Sequence, residues 1–219
     1  MSAQALSAPA VGKAPAAGSR AAVQVTVNAA PPGAPGEAVA LLQLQQLGAR
    51  VAVPLRAGPY LRGSFGAGWS DSDGDGCSTR EEVLMRWMEI SPPHGSCEDS
   101  GSILDPYTGL LTRADAMEPD HVVPLAEAWA AGAWAWTAAE RAAFANDPAN
   151  LVPTARRLVR SAGDRVGGEW RPPNEWYWCT YVSAYVGMKY QYRLTVTPEE
   201  AAGLAAGLGF CAGPWVAGG

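Results

Sequence analysis

Histidine is almost missing from this 219-residue chain: it has His94 and His121 alone, so a site built on three or more histidines is excluded. Cysteine is sparse. Cys77, Cys97, Cys179 and Cys211 contain no CxxC pair and, with two histidines, do not complete a zinc-finger set. No stretch approaches the roughly 18 consecutive apolar residues of a membrane span, so no membrane contact of that kind is expected. No Gly-rich phosphate loop, dinucleotide fingerprint or G-x-S-x-G elbow is present, which removes the common nucleotide-binding and serine-hydrolase readings. Charged residues are 17% of the chain against 48% hydrophobic, so a packed core is expected rather than wholesale disorder. The net charge of −5 argues against a uniformly basic nucleic-acid coat, though not against a local basic face.

The length suits one sizeable domain with extensions. Met1 to Ala40 holds 14 Ala, 5 Pro, 4 Gly and 3 Ser, too little bulky apolar surface to offset the entropy of ordering. Its start lacks the basic residues and following apolar run of a signal peptide. Val23 to Val27 alternates like a strand but is too short to carry a domain. The expected division is a flexible tail over 1–36, a domain over 37–212 and a C-terminal tail over 213–219.

Helical spacing of Leu41, Leu44 and Leu47 before Gly48 predicts a first helix. Ser78 with Glu81, Thr137 with Glu140, and Thr197 with Glu200 have capping-box spacing. Trp129 to Phe144 reads as helical, as do Cys179, Val182, Val186 and Lys189. Strand signals are short: His121-Val122-Val123, Leu151-Val152 and Leu194-Thr195-Val196. The fold class expected is α+β with few strands. The tryptophans, Trp129, Trp134, Trp136, Trp176 and Trp178 among them, suit core packing more than base stacking.

The even cysteine count fits two disulfides, with Cys77–Cys97 and Cys179–Cys211 as the neighbouring pairs, and four buried thiols as the alternative. Asp71-Ser72-Asp73-Gly74-Asp75-Gly76 with Glu82 fits the twelve-residue calcium loop, its carboxylates at positions one, three, five and twelve. Against that stand a poor preceding helix, Gly66 to Ser70, and Ser78 at an ordinarily apolar position. An acidic turn at the head of the next helix is an equal alternative.

Chemistry concentrates in three segments. Glu118-Pro119-Asp120-His121 places an acid and a histidine before an apolar run, Asn146-Asp147-Pro148-Ala149-Asn150 is an amide-rich turn, and Arg160 to Asn174 mixes arginine with aromatics. A neutral imidazole that accepts a proton from water, beside a carboxylate that holds a cation, suits phosphodiester hydrolysis. Neighbouring strand residues point to opposite faces, so Asp120 and His121 share one site only where the strand starts or bends. Charge is uneven: 150–195 carries +4 and 70–120 carries −9. Arg156, Arg157 and Arg160 beside that site suit phosphate contact, a solvated surface being the plainer reading. His94 reads as an exposed loop histidine.

Taken together, these blocks resemble the HNH nucleases related to the C-terminal nuclease domain of GmrSD-type restriction systems, in the form common among secreted actinobacterial proteins. The resemblance covers about Leu41 to Cys211. It rests on Tyr60-Leu61-Arg62 with Phe65-Gly66, Gly76 to Arg80, Asp105-Pro106-Tyr107-Thr108-Gly109, Asp120 to Leu125 with Trp129, Asn146-Asp147, Asn150-Leu151, Gly163-Asp164, Glu169-Trp170 and Pro172-Pro173-Asn174.

The resemblance implies an HNH-type ββα-metal core with added helices. In it Asp120 would be a metal ligand, His121 the general base and Asn150 the asparagine that braces the loop carrying it. A divalent metal would be implied, magnesium above all and manganese as a substitute, with calcium at the separate acidic loop. DNA would be the substrate and the extracellular space the compartment. The further asparagine ligand of the family falls at Val159, and its frequent lysine at Ala162. Valine has no donor atom. Asp164 is a candidate replacement ligand, and Arg160 and Arg165 are candidate phosphate clamps. The expectation is an HNH-type endonuclease, weakened or intact. The alternative is a catalytically degenerate relative with a nucleic-acid-binding or structural role.

Overall fold

Three helices are started by the side chains that the spacing singled out. The computed structural model describes residues 30–50, 52–88, 97, 100–158 and 170–212. Val23 to Val27, His94, Val159, Arg160, Ala162, Asp164 and Arg165 lie outside the described residues. Helix α1 spans Glu37–Gln46, and α2 spans Thr79–Trp87 behind the Ser78/Glu81 capping box. Helix α3 spans Leu125–Ala131 and α4 spans Ala138–Ala145 behind the Thr137/Glu140 box. Helix α5 spans Trp178–Gln191 and α6 spans Pro198–Ala212, where Glu200 N–H donates to Thr197 Oγ1 and Thr197 N–H to Glu200. These reciprocal bonds satisfy amide donors that a helix start leaves open.

Trp129 to Phe144 is not one helix. It breaks at Gly132, whose φ of 137° suits glycine, and a short 3₁₀ turn over Ala133–Ala135 separates α3 from α4. The strands also shift from expectation. β1 (Ser102–Leu104) and β2 (Leu111–Arg113) form a hairpin that the residue pattern did not announce. β3 is Met117–His121, not 121–123, and pairs antiparallel with β4, Leu151–Ala155. Pro119 hid it from a pattern reading. The register sets Pro119 opposite Pro153, and Val122 N–H bonds to Asn150 C=O three residues further on, in a position of the opposite hydrogen-bonding class. That makes 119–153 a pair that exchanges no backbone hydrogen bonds, so neither missing N–H is needed. Leu194 to Val196 makes a single parallel bridge, Ala49 with Val196, rather than a strand. The α+β class stands.

α1, α5 and α6 pack together and bury Ala40, Leu44, Val182, Val186, Leu204 and Leu208. Gly187 lets the chain before α1 approach: a Cβ there would sit 2.6 Å from Pro35 Cδ. Within this helical layer Lys189, fully buried, bonds Glu127 Oε1 at 2.5 Å and also pairs with Glu200. Arg50 adds three bonds to the Glu127 carboxylate, so two buried anions meet two cations. The disulfides are Cys77–Cys97 and Cys179–Cys211. The second ties the start of α5 to the end of α6. Among the described residues no helix is long and apolar enough to cross a membrane.

Candidate active site

His121 ends β3, and its ring is placed by the neighbouring helix. Helix α4 is fixed at its head by the capping box, so its length determines where its last carbonyl, that of Ala145, falls. Such terminal carbonyls lack a donor within the helix. His121 Nε2 lies 2.9 Å from Ala145 O. A carbonyl oxygen only accepts, so Nε2 carries the proton and the neutral ring has its lone pair on Nδ1. Nδ1 has no hydrogen-bond partner among the described residues. Burial, and after it the nearby Arg62 guanidinium, pulls the imidazole down to about 4, against the smaller upward effect of the Ala145 bond. It is therefore neutral across the ordinary pH range.

Asp120 precedes it, with different neighbours. Its carboxylate faces the His121 backbone amide and lies near Tyr107 and Tyr181, whose hydroxyls are raised first by their own burial and then by the Asp120 charge. Burial pushes Asp120 up to about 7, and no cationic side chain pairs with it among the described residues. The Tyr107 hydroxyl beside it is fully buried and has no hydrogen-bond partner there. No hydrogen bond joins the Asp120 and His121 side chains. The two leave the final positions of a strand, one toward the tyrosines and the other toward α4.

Asn150 is fully buried. Its Oδ1 accepts from Val123 N–H at 2.9 Å and its Nδ2 donates to Val123 O at 3.3 Å, so one amide grips both backbone groups two residues beyond His121. The turn before it is held by Asp147, which accepts from Ala149 N–H and from the Tyr192 hydroxyl. Asp105 is fully buried as well. It accepts from Thr154 Oγ1, Ala155 N–H and Tyr107 N–H, which docks the Asp105–Gly109 turn on the end of β4. Helical conformation begins directly after β4, at Arg156.

One participant, Trp69, was not singled out from residue pattern. Trp69 stacks on the His121 ring, with centroids 5.6 Å apart and planes inclined by 20°. Its Nε1–H donates to Glu118 Oε1 at 3.0 Å, while Glu118 Oε2 pairs with Arg80 at 3.3 Å and Arg156 at 3.6 Å. The residues on either side of Trp69 are tied to the C-cap of α4: Ser70 N–H donates to Asn146 Oδ1, and Asn146 Nδ2 to Gly68 O. In the sequence Trp69 follows the Tyr60-Leu61-Arg62 and Phe65-Gly66 blocks with no periodicity to reveal a contact with His121. A groove of about 580 Å³ opens beside it, between Gly66–Ser72 and Ala142, Ala143 and Asn146 of α4.

At the acidic loop, ligand-type oxygens of Asp71, Asp73 and Asp75 lie within 4.8 Å of one another, all exposed. Glu82 falls in the first turn of α2, raised first by burial and then by Asp73 and Asp75. Gly66 to Ser70 is not a regular α-helix, so no entering helix precedes the loop.

Among the described residues, His121 with no partner on Nδ1, the Asp120 carboxyl with no cation and the bracing Asn150 sit at the adjoining ends of β3 and β4 and have the chemistry for hydrolysis of a charged substrate, although the Asp120 and His121 side chains leave β3 in different directions. The comparisons give the same class, a nuclease. A family profile described as GmrSD restriction endonucleases, C-terminal domain, matches residues 97–206, and this chain belongs to that family. It is also 40% identical over 139 residues to an uncharacterised secreted protein of Arthroderma benhamiae, a match covering 62% of this chain and 68% of that protein. No solved structure matches. Arg62, Trp69 and Arg80 lie outside the stretch matched by the profile.

Proposed function

We propose that the chain is a metal-dependent endonuclease of HNH type, acting on DNA phosphodiesters with little sequence preference through a domain over 37–212, flanked by tails at 1–36 and 213–219. The observation that carries this reading is the His121 Nε2–H bond to Ala145 O, which leaves Nδ1 as the acceptor for a proton from water. At about 4 the ring is a weak base, but an approaching phosphate is anionic and favours the imidazolium, which moves it toward an effective range. His121 removes the proton, the resulting hydroxide attacks phosphorus, and the bond to the leaving oxygen breaks. Asn150 holds the Val123 backbone and with it the end of the segment that bears His121.

Asp120 suits a divalent ion: it is a carboxylate without a cationic partner among the described residues, raised by the burial that a bound cation would offset. Magnesium or manganese there would neutralise charge on the phosphate and leaving oxygen. Asp164 is the proposed second ligand, and Arg160 and Arg165 are the proposed phosphate clamps. Calcium on Asp71, Asp73, Asp75 and Glu82 is a separate proposal, resting on the clustered oxygens and the loop spacing. It predicts a calcium-dependent rise in Tm that Asp73→Asn removes. The two disulfides and the secreted relative support an extracellular compartment.

A second reading has its own observation. Val159 and Ala162 replace residues that the resemblance places in the site, so a degenerate nucleic-acid-binding protein is the alternative. Plasmid nicking in Mg²⁺, Mn²⁺ or EDTA decides. Cation-dependent cleavage lost in His121→Ala and in Asp120→Ala supports the enzyme. An inert wild type with an active Val159→Asn variant supports the degenerate reading.

A further inference from the structure

A hydrogen bond at Nε2 does not by itself aim a histidine. Nε2 lies near the far end of the Cβ–Cγ axis, so the ring can turn about that axis with little movement of Nε2 while Nδ1 sweeps a wider arc. The torsion concerned joins sp³ to sp² carbon and has a broad, shallow profile. The Ala145 bond therefore fixes where the ring reaches and leaves its rotation to be set by something else. A contact placed to restrict rotation is the near-parallel Trp69 indole, at 5.6 Å and 20°.

That indole is itself restrained at three points. Its Nε1–H is bound to Glu118, its preceding neighbour Gly68 to Asn146 Nδ2, and its following neighbour Ser70 to Asn146 Oδ1. Ser70 O also accepts from Thr79 N–H and Oγ1, at 2.7 and 2.9 Å, which pins the loop to α2. Glu118 is held in turn by Arg80 and Arg156. An exposed loop carrying a tryptophan needs none of these bonds to bury apolar area, yet they converge on one ring.

We propose that Trp69 is a positioning residue for His121: anchored on Glu118 and Asn146, its indole locks the imidazole rotation and so directs Nδ1 at the water that attacks phosphorus. The inference rests on His121 acting as the general base of the proposed hydrolysis. Trp69 touches neither substrate nor reacting atom in this role. Glu118, two residues before Asp120, is the hub through which α2 and the helical segment beginning at Arg156 hold it.

The test joins a kinetic and a spectroscopic readout on the full chain. With two histidines, the ring-proton NMR signal that vanishes in His121→Gln identifies His121. The stack predicts an upfield displacement of that signal in wild type, lost in Trp69→Leu and largely kept in Trp69→Phe. In cleavage of a short DNA duplex with Mg²⁺, Trp69→Leu should lose about a hundredfold in kcat with KM little changed, the scale of a misplaced reacting group, and Trp69→Phe should recover most of it. Wild-type kcat in Trp69→Leu, or an unchanged His121 ring signal in that variant, overturns the proposal. Should Trp69→Leu not fold, Glu118→Ala decides, because it frees the indole and should move the His121 signal the same way; an unmoved signal overturns the proposal. A wild type without nuclease activity removes the hydrolytic reading alone, while the NMR comparison still decides whether Trp69 fixes the ring.

Discussion

Asn150 holds Val123 by both backbone groups, from a position with no solvent exposure. The amide is the only side-chain type of its size that offers one acceptor and one donor to one residue. Asn150→Ala leaves a buried N–H and C=O without partners, each costing about 1–3 kcal/mol, so urea unfolding should show a loss of at least that order. Asn150→Asp keeps the shape but turns an acceptor toward the Val123 carbonyl, and should be no better than alanine. Equal midpoints for Asn150→Ala and wild type would remove the bracing role.

Protonation at the end of β3 predicts an uncommon pH profile. Burial raises Asp120 from 3.8 to about 7, so the folded chain keeps a proton that the unfolded chain releases, and stability falls as pH rises through that window. His121 is lowered from 6.5 to about 4, so its contribution is lost as pH falls below 6.5. Between about 4 and 6.5 the two slopes oppose and nearly cancel. Cleavage separates them. The ion must displace the Asp120 proton, so below pH 7 a tenfold increase in Mg²⁺ should move the acid limb of the rate about one unit lower. In kcat/KM, which reports the free enzyme, His121 is already neutral and adds no limb between pH 5 and 7. An acid limb indifferent to Mg²⁺ concentration would show that Asp120 is not the group that titrates.

What the sequence revealed followed from local chemistry. Capping boxes at Ser78, Thr137 and Thr197 depend on a residue three positions away, and the amide at Asn150 and the acid at Asp120 carry recognisable donors. Pairing of Pro119 with Pro153 depends on register across more than thirty residues, which no window of alternation reports. The break at Gly132 was hidden because alanine-rich flanks keep helical propensity on both sides. Trp69 and Glu118 are 49 residues apart, and their roles arise from one shared hydrogen bond. Charge counts placed the basic residues over 150–195, yet Arg80, from the acidic stretch, is brought to Glu118 by α2.

The two disulfides should matter for different things. Their sequence separations of 20 and 32 residues correspond, by loop-closure entropy, to roughly 3–4 kcal/mol each. Cys179→Ser with Cys211→Ser should lower global stability by that order through the α5–α6 tie. Cys77 N–H bonds the Asp75 carboxylate at 2.8 Å, so opening the first bridge should also weaken any cation held by the acidic loop. Calorimetric titration of Ca²⁺ into the Cys77→Ser, Cys97→Ser chain should show weaker binding than wild type. Unaltered affinity would separate the staple from the loop.

Arg62 is exposed, has no carboxylate partner among the described residues and lies near enough to His121 to lower its ring. Every arginine that approaches Glu118, Glu127 or Asp115 spends its charge on that acid, whereas the Arg62 guanidinium is left to face an incoming anion. A fork of five N–H donors matches a phosphate. Arg62→Ala should raise KM for duplex DNA and reduce the slope of log affinity against log salt by about 0.9, the contribution of one phosphate contact. Arg62→Lys should keep the salt slope and lose part of the affinity, because a point charge replaces a bidentate contact. An unchanged salt slope in Arg62→Ala would place the phosphate contacts elsewhere, and leave the ring-lowering charge of Arg62 as its one effect on the site.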